Sequence, residues 1–219
     1  MPKVSKEYLA NKRQDIIDAA YSVCLRKPIS SVTMTDIINE TGLSQGGIYR
    51  FFDNLDDILR AMIGNMRKEY GIIEDTDNLF ERCEEMSVKE FSKAICDMLA
   101  DRMEKTLTTI LKINYDLSVL AINEPKRVEK MIEGLEPESN MGHLTMATVE
   151  LFTKKIKSGE IKPRVDAQNL MQFITCAYAG IERNCIISNC YDSGPMKVKY
   201  EPKPMFDTLA DTIAYLLGE

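Results

Sequence analysis

Apolar positions recur at helical spacing along nearly the whole chain, and no stretch alternates apolar and polar residues like a half-buried strand. The pattern predicts helices over residues 6–26, 33–40, 44–51 and 54–70. It predicts six more over 87–104, 106–122, 125–135, 143–157, 167–190 and 204–217. Breaks are expected at Gly71, around Asp75-Thr76-Asp77-Asn78, at Glu124-Pro125, over Glu136-Pro137-Glu138-Ser139-Asn140 and from Lys157 to Pro163. A further break runs from Tyr191 to Pro204, where Gly194, Pro195, Pro202 and Pro204 preclude continuous helix. The segment 107–122 is apolar on nearly every face and is therefore expected at the centre of the main body. Segment 170–181 mixes large residues with Ala177, Ala179 and Gly180, which let another helix approach closely. With Phe206, Leu209, Ile213, Leu216 and Leu217 of the final helix, it can supply half of an intermolecular four-helix bundle or, alternatively, an ordinary intramolecular core. The fold class expected is all-α, with a three-helix head over 1–53 and a larger helical body over 54–219.

Residues 33–52 carry the sharpest local signals. Thr33 is placed as an N-cap with Asp36 three positions on, close to a capping box in which Asp stands for the usual Glu. Val32 and Ile37 are spaced for a hydrophobic staple. Gly42 offers the stop and the sharp turn, because it takes a positive φ without steric cost. Ser44 then caps a second helix, with Leu43 and Ile48 placed for a second staple. Two short helices around a glycine turn make a helix-turn-helix, whose second helix enters the major groove of double-stranded DNA.

On that reading Gln45 is the best base reader, since its amide accepts and donates at once, as adenine N6/N7 requires. Gly46 and Gly47 cost the helix roughly 1 kcal/mol each against Ala, tolerable where backbone must approach the duplex. Arg50, Lys12 and Arg13 can pair with phosphates, and Thr35 can reach a base edge. Thr33 and Ser44 would turn helix N-termini toward phosphate. Ile37, Ile38, Leu43, Ile48, Phe51 and Phe52 are assigned to the core of the head.

These residues resemble the N-terminal domain of the TetR/AcrR family of one-component bacterial regulators. The resemblance begins in the first helix at Ile16, Ile17, Ala19, Ala20 and Val23, and continues through Thr33-Met34-Thr35-Asp36-Ile37. Its strongest part is Gly42-Leu43-Ser44-Gln45-Gly46-Gly47-Ile48-Tyr49-Arg50-Phe51-Phe52, followed by Asp56-Asp57-Ile58-Leu59. A weaker echo, Gly159-Glu160-Ile161-Lys162-Pro163 and then Asp166, resembles the family's turn before its first dimerisation helix. The resemblance implies a homodimer built from the last two long helices, a palindromic DNA operator, repression, and release by a small-molecule effector. It also places Tyr49 at the groove edge. Two departures stand out: Pro28 replaces the family's usual Gly after the first helix, and Asp53 and Leu55 replace its common Lys residues. A frequent phosphate contact is thereby missing.

Charge supports this polarity. The chain carries −6 overall, yet residues 1–52 hold seven Lys/Arg against five Asp/Glu, leaving 21 against 29 for the rest. A mildly cationic head on an acidic body favours one orientation on DNA. No apolar run long enough for a membrane span and no secretory leader pattern is evident, so the cytoplasm is expected. The six cysteines show no CxxC and read as reduced, small hydrophobes, with a thiol-reactive sensor as the lesser alternative. His143, the single histidine, lacks the neighbours of a zinc site, and no cofactor or metal is expected. With no G-x-S-x-G, nucleotide loop or metal cluster, an enzyme is a poor rival. The nearer rival is a DNA-binding regulator whose body binds a protein partner or no small ligand.

An apolar effector cavity is expected within residues 87–190, using the flexible side chains Met98, Met103, Tyr115, Met131, Met146, Phe152, Phe173 and Tyr178. Met at helical spacing more often fills ordinary core. Polar groups embedded in apolar helices are sharper markers: Asn114 and Asp116 in one, Glu182, Arg183 and Asn184 in another. Asp116 would favour a cationic hydrophobic ligand, whereas Glu182 and Arg183 can equally form a structural ion pair at the dimer interface.

Overall fold

The computed structural model describes residues 5–83, 86–135, 140–190 and 198–219. Among these the chain forms eleven α-helices, one 3-10 turn and no strand. It divides into two compact units, one of residues 1–70 with 112–137 and one of 71–111 with 138–219. The boundary expected after residue 53 falls inside the first unit. Expected breaks over 136–139 and 191–197 lie outside the described residues.

In the first unit, α1 (Lys6–Arg26) packs against α2 (Met34–Thr41) and α4 (Leu55–Glu69), with α3 (Gln45–Tyr49) between them in sequence. Ile16, Ala20, Cys24, Ile37, Ile48, Ile58 and Leu59 are fully buried at its centre. Asn54 caps α4, accepting from the Asp57 amide at 3.0 Å, and Asp56 and Asp57 complement the positive first turn. Its far side holds α8 (Pro125–Ile132): the Arg60 guanidinium donates to the carbonyls of Lys130, Met131 and Glu133 at 3.3, 2.9 and 2.6 Å. A cation at a helix C-terminus satisfies carbonyls that have no helical partner. Arg127 answers from α8 with a forked contact to Asp56 at 2.7–3.1 Å.

α7 (Ile110–Asn123) corrects an expectation. Read as the central helix of the body, it lies from Lys112 onward in the first unit and leaves Val119 and Ile122 exposed. Its buried polar pair explains how it is held: Lys112 Nζ donates to Asp116 at 3.0 Å and to the Cys24 carbonyl of α1 at 3.1 Å.

The second unit contains α5 (Ile73–Glu81), α6 (Val88–Thr106), α9 (Asn140–Ser158), α10 (Ala167–Cys190) and α11 (Pro202–Leu217). The helix α5 was not expected, since Asp75-Thr76-Asp77-Asn78 reads as a turn. Glu74 and Asp75 instead sit in its first turn, where acids are favourable, and Thr76 and Leu79 are buried. It packs on α9, where His143 Nε2 lies 2.7 Å from Asp77. α6 and α10 both pack on α11. Edge-on contacts of Phe80 with Phe91 and of Phe91 with Phe152 fill the space near α5, α6 and α9. Asp166 opens α10 by accepting from the amides of Gln168 and Asn169 at 2.9 and 3.1 Å. No described helix is long and apolar enough to cross a membrane.

Candidate nucleic-acid interface

The capping box around α2 is complete. Thr33 Oγ1 accepts from the Asp36 amide at 3.3 Å, and Asp36 accepts from the Thr33 amide at 2.8 Å. Lys27 Nζ also reaches the Asp36 carboxylate, at 2.7 Å. These contacts, the Lys27 bond first and then those from Thr33, hold the Asp36 carboxyl at about 2, below its ordinary 3.8. A depressed carboxyl stabilises the fold above its ordinary value and loses that contribution as pH falls through the depressed one. The helix-turn-helix is therefore expected to loosen between about pH 4 and pH 2, read as faster amide exchange at Asp36 and Ile37. An Asp36→Asn variant should flatten that pH dependence; an unchanged profile would remove the carboxylate from this role.

Gly42 ends α2 with φ +67°, and its amide donates to the Ile38 carbonyl at 3.0 Å. That left-handed conformation turns the chain toward Ser44, whose Oγ accepts from the Gly47 amide at 3.2 Å and starts α3. α3 is shorter than the expected 44–51, with Arg50 and Phe51 in the turn that follows. Pro28, the departure after α1, needs no positive φ. Lys27 is extended and Pro28 leads a 3-10 turn, Ile29–Ser31, whose Ile29 is buried like a plug.

Burial separates the two faces of the motif. Val32, Ile37, Ile48 and Phe52 are buried, while Ile38, Leu43 and Phe51 are half-buried. Thr33, Thr35, Ser44, Gln45, Gly46, Tyr49 and Arg50 are exposed, and Gly47 is half-buried beneath Ser44. An added Cβ at Gly46 would meet nothing within 4 Å, so no fold requirement calls for glycine there.

The cations of the head differ in availability. Lys12 pairs with Asp15 at 2.8 Å, Arg26 with Glu40 at 2.5 Å, and Arg13 lies 4.7 Å over the Phe52 ring. Arg50 has no carboxylate partner among the described residues. Exposed pairs of this kind are weak and can be exchanged for phosphate.

The second unit holds a separate feature, a largely apolar cavity of about 270 Å³ between α6, α9, α10 and α11. Its α10 wall is one helical stripe: Met171, Ile174, Thr175, Tyr178, Ala179 and Glu182. Of the side chains expected at an effector site, Phe152, Tyr178 and Glu182 line it, whereas Met98, Asn114, Tyr115, Asp116, Met146 and Phe173 do not. Met98 is half-buried elsewhere on α6, while Met146 and Phe173 are 70% and 44% exposed. Asn114, Tyr115 and Asp116 belong to the first unit, where Asp116 is already paired with Lys112. Glu182 and Arg183 form no ion pair: Arg183 is exposed and Glu182 faces the cavity. Of the cysteines, Cys24, Cys83, Cys96 and Cys185 are buried. Burial pushes the thiols of Cys24 and Cys96 to about 12 and that of Cys185 to about 11, which disfavours the reactive thiolate.

A capped pair of helices around a left-handed glycine, presenting Gln45 and Arg50 on its open face, defines a helix-turn-helix DNA-binding regulator. The first quarter of the chain is a DNA-binding domain of the TetR type. The model of the bacterial regulatory proteins of the tetR family matches residues 16–62. The uncharacterized HTH-type transcriptional regulator YfiR of Bacillus subtilis is 25% identical over 185 residues, covering 84% of this chain and 85% of that protein. Among solved structures, a TetR transcription regulator from Haloarcula marismortui superposes with a TM-score of 0.62 at 14% identity, covering 95% of this chain and 98% of that one. The fatty acid degradation regulator FadR from Bacillus halodurans gives 0.64 at 15% identity, over 95% and 97%.

Proposed function

We propose that the protein is a homodimeric repressor, acting in the cytoplasm, that binds an imperfect palindrome and is released by a small hydrophobic effector. The observation that carries the effector is the 270 Å³ apolar cavity in the second unit, near the lower end of small-molecule sites. Dimerisation draws support from α10, in which Leu170, Ile181, Cys185 and Ile186 are the buried residues of a 24-residue, largely apolar helix. Its Phe173, Cys176 and Ala179 are exposed, and Gly180 has open space above its Cα. Occupancy of the cavity favours a state of low operator affinity, and the effector's differential affinity for the two states sets the size of the response.

Operator DNA selected from the source genome tests this by fluorescence anisotropy and footprinting. Two protomers should protect half-sites about one helical turn apart, near 34–36 Å. Gln45→Ala should cost about 1–3 kcal/mol and relax preference at one base pair per half-site. Arg50→Ala should weaken all sequences alike and reduce the salt slope by about one for each phosphate no longer neutralised. A monomer by light scattering at micromolar concentration, together with a non-palindromic footprint, would refute the reading.

A further inference from the structure

The cavity wall is chemically lopsided. Its lining holds no Lys, Arg or His, but it includes one carboxylate, Glu182. The Tyr178 hydroxyl is 3.5 Å from Glu182 Oε1, at the outer limit of a hydrogen bond, and no cation pairs with Glu182 among the described residues. Arg102 bears electrostatically on Tyr178 rather than on Glu182. Burial raises the Glu182 carboxyl above its ordinary range, and the Tyr178 hydroxyl only partly opposes this. The acid is thus held in a place unfavourable to its own charge unless a positive group joins it.

The other polar groups sort themselves. Thr148 and Thr175 turn their hydroxyls back to the carbonyls of Leu144 and Met171, at 2.7 and 2.9 Å, and need nothing from a ligand. Ser92 differs: it is 3% exposed, its Oγ has no hydrogen-bond partner, and it lines the same cavity. Buried polar atoms without partners are uncommon and costly, and this one shares the apolar space with a carboxylate that no described cation pairs. A ligand carboxylate would meet Glu182 with no compensating cation in the wall. An ammonium would meet a carboxylate that lacks one, and Ser92 Oγ could accept a second hydrogen bond from it.

We propose that this cavity binds a hydrophobic amine, whose charged nitrogen pairs with Glu182 while its apolar body fills the space between Phe91, Leu144, Phe152 and Ile213. The proposal rests on the effector reading above and narrows it to a chemical class. A smaller apolar cavity of about 180 Å³ shares Phe152 and Met171 with the first, so the apolar end of the ligand lies beside further apolar surface.

Octylamine, 1-octanol and octanoate, below their micellar concentrations, are the probes: one chain length, three head groups, of a size suited to a small cavity. Binding to the full-length protein is measured by calorimetry and by release of operator DNA. Octylamine should bind at least tenfold more tightly than 1-octanol, and octanoate at least tenfold more weakly. Glu182→Gln should remove the amine's advantage while 1-octanol still binds, which also shows that the variant is folded. Octanoate binding as well as octylamine would overturn the proposal, as would an amine preference that survives Glu182→Gln. If in those cases the probes still release DNA, the effector reading stands and only the chemical class falls. If none of the three binds, the cavity reading falls and the amine with it.

Discussion

Replacing Asp116 with Ala should destabilise the protein by about 3–5 kcal/mol, the cost of stranding one partner of a buried ion pair. The Asp116 and Lys112 side chains are 9% and 11% exposed, and their charged atoms are 3.0 Å apart. Without the carboxylate, the largely buried Lys112 ammonium keeps only the Cys24 carbonyl as a partner. The pair itself is not a large source of stability, because desolvating two charges offsets most of their attraction. Hence Lys112→Met combined with Asp116→Leu should recover most of the loss, and can match the parent. Urea denaturation of the single and double variants checks both halves. A single variant that loses less than about 1 kcal/mol would mean that water reaches Lys112. The location matters for function, since the ion pair joins α7 to the last turn of α1, the helix that carries Lys12 and Arg13.

The contrast between this pair and the cavity shows what a sequence reveals. The head was legible because its signals are local: Thr33 and Asp36, Gly42, Ser44 and Asn54 each act within three or four residues of chain. Their caps and turn formed as the spacing implied. The body was legible as helices but only partly as a site: Phe152, Tyr178 and Glu182 were named, but the cavity gathers residues from α6, α9, α10 and α11. Met146 and Phe173 are the right residue types on the wrong faces, which composition cannot distinguish. Two signals were nevertheless present. Lys112 lies four residues before Asp116, on the same helical face, which marks a pair rather than a free acid. Glu182 and Arg183 are adjacent in sequence, so they point about a quarter-turn apart on a helix and make poor partners. Tracing Glu182 backwards at helical spacing through Ala179, Tyr178, Thr175, Ile174 and Met171 recovers the α10 wall. The helix α5 was hidden by its own polarity, because Asp75 and Asp77 favour either a turn or a helix start.

Gly218→Ala should be the other large effect, and its size comes from two penalties acting together. Gly218 has φ +108°, a conformation that residues with a side chain rarely adopt, and forcing one there costs about 1–3 kcal/mol. A Cβ at this position would also lie 2.7 Å from the Lys162 carbonyl oxygen, and overpacking against backbone adds about 1–3 kcal/mol more. The carbonyl cannot simply withdraw. Arg164, two residues on, is tied to α11 by its amide on the Leu216 carbonyl at 2.9 Å and by its Nε on the Tyr215 carbonyl at 2.8 Å. Its guanidinium also lies 4.5 Å over the Tyr215 ring. On the other side, the Glu219 carboxylate accepts from the amides of Val88 and Lys89, at 3.2 and 2.8 Å, closing the start of α6. A shift at Gly218 therefore disturbs three segments at once. Gly159→Ala is the matched control, since φ there is also positive, at +81°, but nothing lies within 4 Å of an added Cβ. Chemical denaturation should place Gly218→Ala well below Gly159→Ala, and equal losses would mean that backbone strain alone is at work and the close approach to Lys162 is relieved in solution.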